Sequence, residues 1–191
     1  MAYDFDKIVN RRGTDSTKWD ADPNLFIENI DYKIDKENIL PLWIADMDFE
    51  VLPEITEALI KRASHGVFGY TEMSDKCYDA IINWEDTRHD FKIKREWLEF
   101  TSGAVTAAHV AVQAFTQPGD KVIIQPPVYY PFYRTVSNNG ANLLLNNLIL
   151  NEKTGKYEID FEDFENKAKD PRTTLFILCI PSLIRSGRER P

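Results

Sequence analysis

From residue 97 onward, short apolar runs alternate with segments of helical periodicity, and this alternation constrains the fold more than any other feature of the chain. Runs of strand-like composition occur at 97–100, 121–125 and 173–179, with a weaker candidate at 142–150. Segments of helical pattern lie between them, at 104–115, 131–137 and 160–169. Strands that alternate with helices form parallel strands joined by crossover helices, so the sequence predicts an α/β domain with a mostly parallel sheet and flanking helices.

The residues before this region have a different character. Residues 1–40 are polar and irregular, which is typical of an extended N-terminal arm. Two helices are predicted next, at 52–65 and 74–88. Pro53 suits the first turn of the former, because its missing N–H is not needed there.

Composition excludes several classes of function. The chain of 191 residues has 43% hydrophobic residues, which suffices for a globular core, and a net charge of −8. An acidic surface repels phosphate backbones and anionic lipids, so neither nucleic acid nor a membrane is an expected partner. Two cysteines without a Cys-x-x-Cys spacing, and no signal peptide pattern, favour a cytoplasmic protein, although a disulfide remains open on number alone.

The first candidate site is the turn from Phe100 to Ala107, where a predicted strand leads through Gly103 into a helix. Unpaired N–H groups with partial positive charge at a helix start can bind phosphate, and a glycine lets the backbone approach it closely. The segment has no Gly-x-Gly-x-x-Gly pattern, so an ordinary strand-to-helix turn is the alternative.

Two aromatic segments are further candidates. In Gln125–Phe132, prolines that follow a strand could hold one aromatic ring as a flat platform, or the ring could simply belong to the core. In Phe68–Thr71, the hydroxyl of Tyr70 could donate to an anion, or Tyr70 could be a half-buried packing residue.

The segment Trp43–Phe49 contains Asp46 and Asp48 close to aromatic residues. Paired carboxylates suggest a metal or acid–base chemistry, whereas the common role of such acids is N-capping and first-turn charge ahead of a helix. The three histidines have no ligand-like spacing, so no metal site is predicted.

Taken in order, these segments resemble the pyridoxal-phosphate-dependent carbon–sulfur β-lyases (cystathionine β-lyase type) of the aminotransferase class I/II superfamily. The resemblance covers about residues 3–179 and rests on Trp43–Phe49, Phe68–Thr71, Ala80–Trp84, Ser102–Val105 and Gln113–Phe132. It implies the aminotransferase-like fold (PLP fold type I). Residues 1–50 would then be the N-terminal arm or small-domain segment, and residues 51–191 an incomplete large domain that binds the cofactor.

The resemblance also implies site residues. The turn Gly103, Ala104 and Val105 corresponds to the family's phosphate cup, and Tyr129 to the aromatic residue that stacks on the pyridine ring. Tyr70 corresponds to a tyrosine that reaches the cofactor phosphate of a neighbouring subunit, which implies a homodimer. The substrate pocket of similar proteins is lined by the residues that correspond here to Ala45, Asp46 and Met47.

The activity implied is β-elimination from cystathionine or cysteine conjugates, with pyridoxal 5′-phosphate as an electron sink, to give thiol, pyruvate and ammonia. The substrate would be a small sulfur amino acid. Two alternatives remain open: an aminotransferase, which shares the cofactor cup, and a non-catalytic protein that only binds a partner.

The chain departs from the family pattern after Cys179. Members continue with Asn-Pro-x-Asn-Pro-x-Gly, whereas here Pro181 alone fits and Leu183 replaces the second Asn. None of the lysines lies in a motif that matches the family's Schiff-base lysine. The chain is therefore expected to hold no catalytic residue and to be inactive alone, and a frameshift near residue 180 would explain the off-pattern stretch 180–191.

Overall fold

The computed structural model describes residues 3–22, 24, 35 and 38–179, which fall into two units, Met1–Glu72 and Met73–Pro191. The predicted boundary near residue 50 stays a prediction. Helices and strands follow in this order: α1 Thr17–Asp20, α2 Pro53–Ser64, α3 Asp75–His89, a 3₁₀ helix Arg95–Trp97, α4 Ala104–Phe115, β1 Lys121–Ile124, α5 Pro131–Ser137, β2 Asn142–Leu145, β3 Ile149–Asn151, β4 Lys156–Glu158, α6 Phe161–Ala168 and β5 Thr173–Phe176.

In the first unit, the N-terminal arm is held by side-chain contacts more than by regular structure. The carboxylate of Asp20 accepts backbone N–H bonds from Gly13, Thr14 and Ser16 at 2.9–3.1 Å, and these bonds lower its pKa. The loop before α1 therefore folds around one acidic side chain. Helix α2 begins with Pro53 in its first turn, as predicted.

The second unit contains a three-stranded parallel sheet in the order β2-β1-β5. β1 pairs with β2 from Lys121↔Asn142 to Ile124↔Leu145 and with β5 on its other side. Residues Val122, Ile123 and Ile124 are buried, because a central parallel strand is covered on both faces. The predicted fold class is confirmed.

Helices α4 and α5 cover one face of this sheet. Val112 of α4 and Val136 of α5 share a buried cluster with Val122 and Ile124 of β1. Leu175 of β5 packs against the same cluster. Since side chains alternate along a strand, Phe176 lies on the opposite face, where its ring is 5.0 Å from that of Phe164 in α6.

Three strand predictions need correction. Residues 97–100 form no strand; the segment follows the 3₁₀ helix Arg95–Trp97, and it has no strand partner among the described residues. The candidate at 142–150 is two strands, because the chain leaves the parallel sheet after Leu145 and enters an antiparallel hairpin, β3–β4. The last strand ends at Phe176 instead of Cys179.

Two further properties bear on the sequence predictions. Cys77 and Cys179 are both free thiols. Within the described ranges, no helix combines the length and apolar character that a membrane span requires. The predicted off-pattern stretch 180–191 lies outside the described residues.

Candidate functional site

The carboxyl edge of the parallel sheet is where the topology places a ligand. From β1 the chain passes through α5 to β2 on one side, and it returns through α6 to β5 on the other side. Crossovers that lead to opposite sides of a strand place their helices on opposite faces of the sheet. The carboxyl end of β1 therefore borders the crevice where doubly wound folds bind ligands.

The start of α4 offers backbone N–H groups and open space. Gly103 precedes the helix with φ 150° and ψ 164°, and no side chain caps the helix start. The first intrahelical bond runs from Ala107 N to Gly103 O at 3.0 Å, which leaves the N–H groups of the first turn without an intrahelical partner. A Cβ at Gly103 would meet no atom of the described residues within 4 Å, so a phosphate has room there.

Tyr129 lies on the loop that follows β1. Its side chain is 40% exposed, and Phe132 contacts it edge to face with the ring centroids 5.7 Å apart. Phe132 in turn packs against the core cluster. The peptide bond between Pro126 and Pro127 on this loop is cis. Phe132 thus contacts the ring of Tyr129 on its inner side, while part of the ring remains accessible to solvent. A fully buried core residue would not be accessible, and a loose surface residue would lack this contact.

Helices α4 and α5 run side by side in the same direction. Two hydrogen bonds connect the C-terminal ends of these helices and the turns that follow them. Gly119 N donates to Gly140 O at 3.0 Å, and Gln113 Nε2 donates to Asn139 Oδ1 at 2.8 Å. Tyr129 lies ten residues before Asn139, and Gly103 lies ten residues before Gln113.

Helix α4 begins at Ala104 and α5 at Pro131, so Gly103 and the loop that carries Tyr129 both lie at the carboxyl edge of the sheet. The predicted residues Gly103, Ala104, Val105 and Tyr129 thus lie on segments at the same edge of the sheet. A helix start with free N–H donors and an accessible aromatic ring can bind a phosphorylated, planar molecule.

The predicted pocket segment of the first unit carries a cluster of ion pairs. Asp48 accepts from Lys18 Nζ at 2.7 Å, from Trp19 Nε1 at 2.8 Å and from Arg11 at 2.6 Å. These hydrogen bonds, that of Lys18 first, hold the pKa of Asp48 well below its usual range. Arg11 also pairs with Asp46 at 2.6 Å.

This cluster corrects the capping and metal interpretations of the acids, whereas acid–base chemistry stays a prediction. Neither Asp46 nor Asp48 caps a helix, since the residue before α2 is Leu52 and no side-chain cap is present. Among the described residues, no group of three or more His, Cys, Asp or Glu side chains could hold a metal. The two acids instead form ion pairs that connect the segment Trp43–Phe49 to Arg11 and Lys18 of the N-terminal arm. Ala45 and Met47 of this segment are exposed.

Tyr70 lies in the first unit, and its side chain is fully exposed. The alternative that Tyr70 is a half-buried packing residue is therefore wrong.

Sequence reasoning missed a set of buried polar residues at the same edge as Tyr129. Gln125 and Asn146 are hydrogen-bonded to each other, and Asn146 is bonded to Asp163. A signal was present, because each amide residue directly follows a strand of the parallel sheet.

The parallel sheet with helices on both faces defines an α/β protein of the doubly wound class. The family model described as aminotransferase class I and II matches residues 37–182, and the chain belongs to this family.

Known proteins show the same relationship. The chain is 50% identical over 177 residues to cystathionine β-lyase PatB of Bacillus subtilis, with 93% of this chain and 43% of PatB covered. Its fold superposes on the crystal structure of cystalysin from Treponema denticola, which contains a pyridoxal 5′-phosphate cofactor, with a TM-score of 0.84, 33% identity and coverage of 99% and 46% of the two chains. The fold also superposes on the PLP-bound C–S lyase from Staphylococcus hominis complexed with L-cycloserine, with a TM-score of 0.81 and 27% identity. That superposition covers 95% of this chain and 44% of the lyase. The chain spans less than half the length of these relatives.

Proposed function

We propose that this chain forms the phosphate- and ring-binding part of a PLP-dependent carbon–sulfur β-lyase that acts on a small sulfur amino acid. The single observation that supports the proposal is that the uncapped α4 start and the partly exposed Tyr129 lie on segments at the same edge of the parallel sheet. The likeness to a cystathionine β-lyase and to PLP-bound lyases supports the same assignment.

The residues present fit the cofactor. The N–H groups of Ala104 and Val105 would hold its phosphate, because the helix start carries about half a positive charge and lacks a side-chain cap. The accessible face of Tyr129 would lie against its pyridine ring. When bound, pyridoxal phosphate supplies the electron sink for cleavage beside the amino acid's α-carbon.

Residues of the first unit would serve the substrate and a second subunit. Ala45, Asp46 and Met47 would line the substrate pocket, and the Arg11 and Lys18 ion pairs would keep that segment in place. The full exposure of Tyr70 supports a role toward the phosphate of a neighbouring subunit, and hence a homodimer. We place the protein in the cytoplasm, in keeping with its two free thiols.

We also propose that the catalytic lysine is not among the described residues. Six of their lysines are engaged in ion pairs: Lys7, Lys18, Lys94, Lys121, Lys167 and Lys169. Lys121 begins β1 and so lies at the amino edge of the sheet, away from the candidate site. Without a catalytic lysine, a chain of 191 residues would bind the cofactor without covalent attachment and would be inactive alone.

A binding experiment tests the cofactor assignment. Equilibrium dialysis of the 191-residue chain against PLP should show binding that Tyr129→Ala weakens about tenfold, because stacked aromatic contact is lost. Tyr130→Ala is the matched control, since Tyr130 is an adjacent, more exposed tyrosine. Equal affinity of the wild type and Tyr129→Ala would refute the assignment of Tyr129.

Covalent trapping tests the assignment of the lysine. Borohydride treatment of the chain with PLP, followed by mass spectrometry, should leave no specifically modified lysine. A single, stoichiometric pyridoxyl-lysine would show that the chain holds the catalytic lysine after all.

An aminotransferase is the second candidate, because the matching family model and an aspartate aminotransferase of Sulfolobus acidocaldarius, 26% identical over 166 residues, point to it. Full-length protein that contains these residues should release pyruvate from cystathionine. Amino transfer to a keto acid without pyruvate release would favour the aminotransferase. PLP binding without either reaction would favour the non-catalytic alternative.

A further inference from the structure

A row of polar groups, buried at Gln125 and Asn146 and partly exposed at Asp163, adjoins the loop that carries Tyr129. Gln125 follows β1 and is 7% exposed, and Asn146 follows the neighbouring strand β2 and is fully buried. Nε2 of Gln125 donates to Oδ1 of Asn146 at 2.7 Å. Nδ2 of Asn146 donates to Oδ2 of Asp163 at 2.8 Å and to the main-chain oxygen of Asp160 at 3.0 Å. Every polar atom of the Asn146 side chain is thus bonded.

The carboxylate at the end of this row fixes the orientation of both amides. Hydrogen bonding from Asn146, and then the ion pair with Lys167, lowers the pKa of Asp163, so its carboxylate is ionised and can only accept. Asn146 must therefore turn its NH₂ group toward Asp163 and its oxygen toward Gln125. Because that oxygen also only accepts, Gln125 must present its own NH₂ group.

Main-chain bonds connect the same row to the edge loop. Asn146 N donates to Ile124 O at 3.0 Å, and Leu148 N donates to Pro126 O at 2.7 Å. Pro126 and Pro127 have restricted φ angles and leave the chain little freedom before Tyr129. The side chain of Gln125 is a further attachment of this loop to the interior, beside the packing of Val128 and Phe132 against the core cluster.

We infer that Gln125 and Asn146 are positioning residues, which set the height of the Tyr129 ring at the carboxyl edge through this oriented row of hydrogen bonds. Neither residue needs to touch a ligand for this role. The consequence for cofactor binding rests on the proposed function, whereas the positioning of the loop does not.

Gln125→Glu reverses the polarity of the first bond while it preserves shape. In its ionised form the introduced carboxylate faces the oxygen of Asn146, so two acceptors meet in a buried place. Burial and the facing oxygen raise the pKa of this carboxyl, so exchange is compared on the alkaline and the acid side of that raised pKa. On the alkaline side we expect hydrogen–deuterium exchange at residues 128–132 to rise about tenfold relative to wild type, with α4 changed less than about twofold. On the acid side the protonated carboxyl can donate again, so the excess over wild type should disappear.

The chain provides a matched control. Gln113 and Asn139 form an amide–amide bond of 2.8 Å that is exposed to solvent, so water can replace it. Gln113→Glu should leave exchange at residues 128–132 within about twofold of wild type. Gln125→Met, which has similar shape and no charge, covers the case in which Gln125→Glu does not fold, and its excess exchange should not depend on pH.

PLP affinity provides the second readout, with an expected loss of about tenfold for Gln125→Glu at a pH where the introduced carboxyl is ionised and none for Gln113→Glu. Wild-type exchange at 128–132 in both Gln125 variants would overturn the inference, as would exchange raised equally throughout the sheet, which indicates a general loss of stability. If the wild type binds no PLP, the proposed function fails by itself, and the exchange measurements still decide the positioning role.

Discussion

Nζ of Lys18 lies 2.7 Å from Oδ2 of Asp48 and 2.9 Å from the main-chain oxygen of Asp46, and the lysine side chain is 6% exposed. One buried ammonium therefore binds both a side chain and the backbone of the segment proposed to line the substrate pocket. Exposed ion pairs contribute little to stability, but loss of one partner from a buried pair leaves an uncompensated charge.

The first prediction concerns acid. The pKa of Asp48 is lower in the folded chain than in the unfolded chain, so its ion pairs stabilise the fold fully above about pH 4 and lose effect as the pH falls further. Asp48→Asn should lower Tm by several degrees at pH 7, and the difference from wild type should narrow by pH 3. Thermal melts at both pH values, followed by tryptophan fluorescence, measure this.

Glu50→Gln is the control for that experiment. Its partner Lys7 is 2.6 Å away, but both side chains are more than half exposed, so its removal should change Tm little. Equal Tm values for Asp48→Asn and wild type at pH 7 would show that the Lys18 pair does not stabilise this unit.

The second prediction concerns Thr135 on α5. Its side chain is fully buried, and its hydroxyl has no hydrogen-bond partner among the described residues. Thr135→Val replaces the hydroxyl by a methyl group of similar size, so the free energy of unfolding should rise by about 1 kcal/mol. Thr116→Val should lower it, because the Thr116 hydroxyl donates to Val112 O at 2.8 Å. Urea unfolding of the two variants compares them, and destabilisation by Thr135→Val would contradict the prediction.

The third prediction concerns Gly103 before α4. Its φ of 150° is unfavourable for any residue with a Cβ, although the space beside it is open. Gly103→Ala should therefore cost about 1 kcal/mol through backbone strain alone and should weaken PLP binding by several-fold. Gly69→Ala is the matched control for stability, since its surroundings are equally open and its φ is not in that region. Equal losses of stability in the two variants would rule out the strain explanation.

The fourth prediction concerns the start of α6. Oδ1 of Asp160 accepts from Asp163 N at 2.9 Å and so caps the helix that carries the end of the polar row. Asp160→Ala should lower the free energy of unfolding by about 1 kcal/mol, and Asp160→Asn should recover most of it, because asparagine caps equally well. Chemical denaturation distinguishes these results. No recovery by asparagine would mean that the charge of Asp160 matters more than its cap.

Helices with local start and stop signals were predictable from sequence. The bounds of α4 and α5 agree with prediction, because Gly103 and Pro131 mark their beginnings and Asn138 follows α5. The strand predicted at 97–100 was wrong because a run of four residues, three of them apolar, does not show whether a neighbouring strand exists to pair with it.

Parts of the site depend on contacts between residues distant in sequence. The placement of Tyr129 at the ligand edge followed from strand order, which alternation predicts. In contrast, Asp48 binds Lys18, which lies 30 positions earlier in the chain. Similarly, β2 stops before Asn146, whose side chain is bonded to Gln125 and Asp163. No periodic pattern encodes such pairs. The sequence therefore suggested a capping role for Asp48 and a continuous strand through Asn146.

The strand order β2-β1-β5 has a mechanical consequence for the edge loop. Within this sheet β1 is hydrogen-bonded on both sides, and its Val122, Ile123 and Ile124 side chains are buried. Tyr129 therefore follows a strand whose backbone is hydrogen-bonded on both sides. Because Pro126 and Pro127 restrict the torsions between Ile124 and Tyr129, a mutation that shifts β1 should shift the ring with it.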